Sequence, residues 1–213
     1  MNCTFKFPAH SVECFVAGKT AADAIAVNSY LHTYKNRLLV RLNQQHTDKV
    51  LVLTKQNVNS QSDQVVNDLT CPADAVLSDR SAVVLSVRTA DCLPILLYHP
   101  SGVIGAIHAG RKGTELGILR ATLLALKAEW QITNNLILWF GPAICENCYQ
   151  IDRTANLRYD LREKNRQQAE SIFPHHSINI IESEHCTFHD NADWYSYRKE
   201  GKGVGMNVSY ITL

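Results

Sequence analysis

No stretch of the 213-residue sequence comes near the ~20 consecutive apolar residues that a bilayer-spanning helix needs. The opening residues, MNCTFKFPAHSVECFVAG, also lack the basic region and long apolar run of a secretory signal. An excess of charge of either sign is missing too. The 21 Lys and Arg nearly balance 20 Asp and Glu, a formal net charge of +1. No global field therefore selects nucleic acid or an anionic membrane as partner. Internal repeats and low-complexity tracts are absent, which excludes solenoids and arrays. These absences lead us to expect a cytoplasmic protein with neither a membrane nor a nucleic-acid partner. They leave its oligomeric state open. Cysteine is not scarce: there are seven, an odd number without a secretion signal, which argues against a disulfide framework. Each cysteine is then a core residue, a ligand or a nucleophile.

The hydrophobic content of 46% and charged content of 19% are those of an ordinary globule. A chain this long buries roughly 70–75% of its unfolded surface, and we expect one domain over residues 1–213. Strand-like runs come first, at residues 37–45 and 49–54, which flank His46 and could pair with each other. Four more follow at 75–79, 82–88, 93–98 and 103–108, rich in Val, Ile and Leu and separated by short turns. These runs hardly alternate, so both their faces should be buried. Thr114 suits an N-cap, and Leu116, Leu119, Leu123, Leu126 and Trp130 then make one helical stripe. A further strand is expected at 135–140 and a second helix at about 154–173, ended by Pro174. Strands at 178–181 and 206–213 close the chain. Strands dominate and crossover helices are few, which points to an α+β fold with mixed sheets.

Three segments place a potential metal ligand at a strand end: NQQHTDKV with His46, RTADCLPILLYHP with Cys92, and GVIGAIHAGRKG with His108. Strand ends far apart in sequence can converge at one edge of a sheet. Two imidazoles and a thiolate with one open position make a chemically sound catalytic zinc shell. Such a shell lowers the pKa of a fourth-site water toward ~7. Spacing alone does not make a local metal motif here, and a buried thiol or a hydrogen-bonded histidine is the ordinary role of each residue. After His108 the chain passes Arg111 and Lys112 to a helix start, where backbone N–H groups and two cations suit an anion. A plain turn with solvated basic residues fits the same letters. Asp91 beside Cys92 suits either a proton carrier or a turn cap.

The segments QQH (44–46), DAVLSD (74–79), TADCLP (89–94), HAGRKG (108–113), GPAICENCYQI (141–151) and WYSYRKEG (194–201) together resemble the YfiH-like family. This family is also called the laccase-domain or peptidoglycan-editing-factor family, and the resemblance runs from about residue 41 to 213. It implies a mixed β-sandwich surrounded by helices, with His46, Cys92 and His108 as ligands of a zinc ion, copper being the alternative. It also implies a purine nucleoside phosphorylase acting on adenosine, inosine or guanosine with phosphate, and with possible adenosine deaminase activity. In phosphorolysis Arg111 and Lys112 would offset phosphate charge and Asp91 would be a candidate general acid. The family's other labels are copper polyphenol oxidase and an amidase editing peptidoglycan precursors. A metal-independent cysteine hydrolase using Cys92 and His108, and a catalytically silent binding module, are the remaining alternatives. The chain departs from the family pattern in three places. HAGWRG reads HAGRKG, the late G-R element reads Gly205-Met206, and residues 17–29 stand in place of a glycine-rich segment.

Three further groups stand out. Cys145-Glu146-Asn147-Cys148 is a C-x-x-C that lacks a second copy and does not open a thioredoxin-like helix; we expect it to pack in a core or turn. His185 and His189 have H-x-x-x-H spacing without the metalloprotease glutamate, and we expect a hydrogen-bonded loop there. His175-His176 beside Pro174 reads as a surface turn.

Overall fold

A computed structural model describes residues 3–6, 12–20, 29, 37–55 and 69–213. Most of segment 17–29 lies outside the described residues. Among them are two six-stranded sheets and a small two-stranded one. The first sheet runs β1 (Cys3–Lys6), β2 (Glu13–Ala17), β14 (Asn207–Thr212), β7 (Val83–Thr89), β3 (Leu38–Asn43), β5 (Leu69–Pro72). The second runs β13 (Ile178–Glu182), β10 (Leu136–Phe140), β8 (Leu93–His99), β9 (Val103–Ala109), β6 (Ala75–Ser78), β4 (Val50–Leu53). Both mix parallel and antiparallel pairs, as in β3 with β7 and β14 with β7. The fold is α+β, as expected.

The near-continuous apolar runs have the cause anticipated for them. Val83, Leu85 and Val87 of β7 meet Leu96 and Tyr98 of β8 and Ile104 and Ala106 of β9 in the layer between the sheets. The alternate residues Leu93, Ile95 and Leu97 of β8 and Val103 and Ile107 of β9 face the helices instead. Each of these strands is buried on both faces, so period two is invisible in hydropathy and visible only in packing.

The strand pair expected around His46 does not form. β3 lies in the first sheet and β4 in the second, each beside a parallel partner. The segment between them crosses from one sheet to the other, so His46 sits on a crossover rather than in a hairpin.

The first helix also starts earlier than its apolar stripe implies. α1 (Arg111–Leu116) is capped by Gly110, and Thr114 is buried inside it rather than at its cap. Gly117, with φ 88°, breaks the helix before α2 (Ile118–Trp130). The break shifts the helical phase: Leu119, Leu123 and Leu126 are buried, while Leu116 is 59% exposed. The second expected helix is shorter than 154–173. Leu157–Arg158 form β12, paired with β11 (Gln150–Asp152), and α3 (Leu161–Ile172) begins after them. Asp160 accepts the Glu163 backbone N–H, a cap that fixes this start. α2 and α3 cover the outer face of the second sheet. No helix among the described residues is long and apolar enough to cross a membrane.

Leu123 is fully buried between α2 and the second sheet. Leu123→Ala should lower the free energy of unfolding by about 2–5 kcal/mol, read as a shifted urea midpoint at unchanged slope. A loss under about 1 kcal/mol would mean that this helix face does not carry the core.

Candidate metal centre

Strand register assembles the site. Ala75 of β6 pairs with Ile107 of β9, so Asp74, one residue earlier, stands opposite His108. Leu93 of β8 pairs with Ala109 of β9, which brings Cys92 beside Gly110. Val50 of β4 pairs with Ala75 of β6, which brings the His46–Lys49 crossover against Asp74. A later crossover between sheets, from β7 to β8, contains Asp91 and Cys92. The two crossovers are tied together by the Gln44 side chain, which donates to the Arg88 carbonyl (2.7 Å) and accepts from its N–H (2.9 Å).

His46, Cys92 and His108, the three ligands expected from the sequence, do meet. Their nearest ligand atoms all lie within 4.8 Å of one another. Cys92 Sγ is 3.7 Å from His46 Nε2. The two imidazole rings stand edge to face with centroids 4.7 Å apart. His108 is nearly fully buried, whereas His46 is exposed. His108 Nδ1 bonds Asp74 Oδ1 at 2.7 Å, which leaves Nε2 for the site. A carboxylate behind a histidine in this way fixes ring orientation and raises ligand basicity.

Asp74 is fully buried and holds the other ligand as well. It accepts the backbone N–H groups of Gln45 (3.2 Å), His46 (2.9 Å) and Thr47 (2.7 Å), and the Thr47 hydroxyl (2.8 Å). Burial would raise its pKa, but the bonds from His108 and Thr47 outweigh this and hold it well below the carboxylate range. His46 itself has φ 60°, and Asp91, just before Cys92, has φ 86°. Left-handed backbone at non-glycine residues costs free energy, and here it turns both ligand-bearing crossovers toward the site.

Gly110 completes the fit. A Cβ there would stand 2.6 Å from His46 Cδ2 and 2.8 Å from Cys92 Sγ. The glycine of the HAG motif is therefore the floor of the ligand cluster.

The metal-free cluster is polarised. Burial raises the Cys92 thiol, but the imidazoles of His108 and His46 more than reverse this and bring it down to about 6. Burial opposes charge on His108, yet the Cys92 thiolate and Asp74 raise it to about 9. The two shifts have opposite sense, and both favour moving the Cys92 proton onto the His108 ring.

The cluster opens into a cavity of about 620 Å³, a size typical of small-molecule sites. Its walls include Arg88, Tyr149, Tyr197, Arg198 and Met206. Arg198 lies 5.3 Å over the Tyr149 ring and donates to the Gln150 carbonyl at 2.7 Å. Tyr197 and Met206 are both more than half exposed. Sequence reasoning gave none of these wall residues a role. Tyr149 and Arg198 stood inside quoted motifs, CYQ and SYR, and an aromatic next to a conspicuous Cys or Arg was the available signal.

Asp91 is buried at the cavity edge. Its carboxylate accepts the hydroxyls of Thr187 and Ser196, both at 2.7 Å, and the Arg198 backbone N–H at 2.6 Å. Ser196 also caps α4 (Tyr197–Glu200), the helix that carries Tyr197 and Arg198. Arg111 and Lys112 begin α1 and line a smaller cleft beside His46 and Cys92. Arg111 pairs with Glu115 at 3.0 Å, on the surface.

The chain matches the family described as multi-copper polyphenol oxidoreductase laccase over residues 17–175. It is 31% identical to the purine nucleoside phosphorylase of Aquifex aeolicus over 180 residues, 80% of this chain and 81% of that one. It is 26% identical over 162 residues to a protein named adenosine deaminase RL5 from an unknown prokaryotic organism, covering 65% of this chain and 61% of that one. The solved structure of YlmD from Geobacillus stearothermophilus has the same fold, with TM-score 0.79 and 22% identity over 97% of this chain and 93% of that one.

Two outcomes follow from the geometry. Gly110→Ala should keep the fold and lower affinity for zinc by at least tenfold, measured by competition with a chromophoric chelator; unchanged affinity would contradict the close approach. In metal-free protein, Cys92 alkylation by iodoacetamide should rise with pH through a midpoint near 6, because the low pKa makes thiolate the main form above it. Added zinc should suppress the reaction. A midpoint at the ordinary thiol value near ~8.5 would remove the imidazole–thiolate coupling.

Proposed function

The chain belongs to the family described as multi-copper polyphenol oxidoreductase laccase, and we propose that it is a metal-dependent purine nucleoside phosphorylase with zinc as its ion. His46, Cys92 and His108 hold that ion. The observation that carries this reading is the convergence of their three donor atoms within 4.8 Å at the inner end of an aromatic-walled cavity. The donor chemistry fits: two imidazoles and one thiolate suit zinc, and three protein donors are the number that a catalytic zinc site would use. Bound there, the ion supplies Lewis-acid polarisation of a substrate oxygen. Copper suits nitrogen and sulfur donors as well, but multi-electron oxidation by a polyphenol oxidase passes electrons among several coupled centres. The one three-donor group at the cavity among the described residues supports single-ion chemistry instead.

The walls suit a nucleoside. Tyr149 and Tyr197 line the cavity with aromatic surface suited to a purine, and Met206 adds apolar surface. Arg88 and Arg198 bring positive charge into the cavity, and Arg111 and Lys112 bring it to the adjoining cleft. Those cations attract phosphate and offset its charge as an oxygen attacks the anomeric carbon. The C–N bond electrons leave with the purine, which takes up the proton that phosphate loses. Asp91, with three donors on its carboxylate, serves best as the clamp that presents Tyr197 and Arg198.

Deamination of adenosine is a second reading, favoured by the name of one relative. Water replaces phosphate as the attacking group, and the ring carbon bearing the amine replaces the anomeric carbon.

The test is purified protein of measured metal content incubated with inosine or adenosine, with and without phosphate. We expect free base and ribose 1-phosphate only with phosphate, loss of turnover on metal removal, and recovery with zinc. Inosine formed from adenosine without phosphate marks the deaminase reading. Base release that persists after complete demetallation points to the Cys92–His108 pair as a metal-independent hydrolase and sinks the proposal. Absence of turnover with every nucleoside, in zinc-loaded protein, leaves an editing amidase or a silent binding module.

A further inference from the structure

The C-x-x-C and the His185–His189 segment do not behave as separate turns. Cys145, Cys148, Cys186 and His189 meet at the surface, with one ligand atom from each lying within 4.8 Å of the others. Cys148 Sγ is 3.1 Å from His189 Nε2. His185, which the H-x-x-x-H reading paired with His189, turns away to Asp190 at 3.0 Å and packs against Trp194. The true partner of His189 is Cys186, three residues before it. The sequence thus contains two half-sites, C-x-x-C and C-x-x-H, on two separate loops.

We propose that these four residues form a second metal site, a closed tetrahedral Cys₃His site for zinc that is distinct from the His46–Cys92–His108 centre. Four conclusions about the residues support it. Three thiolates and one imidazole make a full structural zinc shell, with no place left for substrate. Zn–S and Zn–N bonds of about 2.3 and 2.0 Å at tetrahedral angles need ligand atoms about 3.5–3.8 Å apart, so small side-chain movements close the site. Cys145 caps and Cys148 ends a 3₁₀ turn, Glu146–Cys148, whose Cys148 N–H and the following Tyr149 N–H both donate to the Cys145 carbonyl. That turn aims both sulfurs to one side. Finally, the Cys145 backbone N–H donates to Cys186 Sγ at 3.3 Å, the kind of bond that stabilises a thiolate ligand.

The two loops are joined without any metal. Ala143 and Cys186 form a parallel bridge, and Thr187 N–H donates to the Ala143 carbonyl at 3.2 Å. The Arg162 guanidinium donates to the carbonyls of Gly141 (3.1 Å), Ser183 (3.3 Å) and His185 (3.0 Å). Its charge also faces Cys186 and Cys145, and three thiolates with zinc would total one negative. The framework is therefore preorganised for the ion. Its ligands sit next to parts of the cavity: Tyr149 follows Cys148, and Thr187, which donates to Asp91, follows Cys186. Filling the site would stiffen one wall. Cys186 and His189 also lie beyond residues 17–175, the part matched to the family.

The experiment is zinc stoichiometry on the purified full-length chain, measured by release to a chromophoric chelator after thiol modification. The expected value is two zinc ions per chain. Cys92→Ser and His189→Ala should each lower it to one, and the double variant to none. Cobalt loaded into Cys92→Ser protein should give intense thiolate-to-cobalt absorption and tetrahedral visible bands, and His189→Ala on that background should weaken them strongly. This readout does not depend on turnover, so it stands apart from the phosphorolysis test. One zinc per chain, unaffected by His189→Ala, would overturn the proposal. So would a Cys145–Cys148 or Cys148–Cys186 disulfide found by mass spectrometry of protein alkylated under native conditions.

Discussion

Five hydrogen bonds converge on the buried Asp74 carboxylate: three backbone N–H groups from Gln45 to Thr47, the Thr47 hydroxyl and the His108 ring. A buried carboxylate without partners would cost several kcal/mol or give up its charge. Here charge-assisted bonds offset that cost, and they reach two elements that the chain leaves far apart. One is the end of β9. The other is the crossover between the sheets. Asp74 therefore couples the fold to the ligand geometry: it fixes the His108 ring and holds the turn that presents His46. Its position is in turn dictated by register, because the residue before β6 must stand opposite His108. A slip of one residue in β6–β9 would send His108 to the helix-facing side of the sheet.

That dependence explains what was legible beforehand. The apolar runs located most of the strands within a residue or two, since Val, Ile and Leu buried on both faces leave a strong signal. His46, Cys92 and His108 were legible as strand-end residues, and their convergence was made plausible by the resemblance of the surrounding motifs. The role of Asp74 was not legible, although it stands in the DAVLSD segment. An aspartate before a strand looks like any turn residue until the antiparallel partner is known. The same holds for Gly117, whose positive φ splits a helix that hydropathy reads as continuous. The pairing of residues 37–45 with 49–54 failed for a similar reason. Local spacing cannot tell a hairpin from a crossover between two sheets when both strands are apolar.

Two of the positive-φ residues stand where strain is useful. His46 and Asp91 adopt positive φ, a conformation that costs a non-glycine residue about 1–3 kcal/mol. Each is held by bonds that overdetermine it: His46 N–H to Asp74, and the Asp91 carboxylate to Thr187, Ser196 and the Arg198 N–H. The consequence for chemistry is preorganisation. The ligand donors and the aromatic and cationic wall are set in place by the folded chain rather than by a bound molecule, so less ordering remains to be done when substrate arrives. Asp91 illustrates the difference between being near a site and acting in it. With three donors in place, its carboxylate has little left to offer a substrate and much to offer the short helix behind it.

The two donor clusters differ in ways that suit opposite purposes. The first has three donors, one ring buried against a carboxylate and one exposed, and it opens into the cavity. The second has four donors, mostly sulfur, on two loops already tied by Arg162 and a β-bridge. A three-donor shell with room for a further ligand is what catalysis needs; a filled four-donor shell can only hold chains together. Sulfur-rich ligation also binds zinc more tightly against oxygen-donor competitors, which favours permanence over exchange. The arrangement separates the two demands on a small α+β chain. Reactive geometry is built into strand register at the core, where it cannot drift. The loops that carry the cavity wall pack against the margin of that core through Ala143, Ile144 and Tyr149, and there a metal crosslink would add a constraint to that of hydrophobic packing.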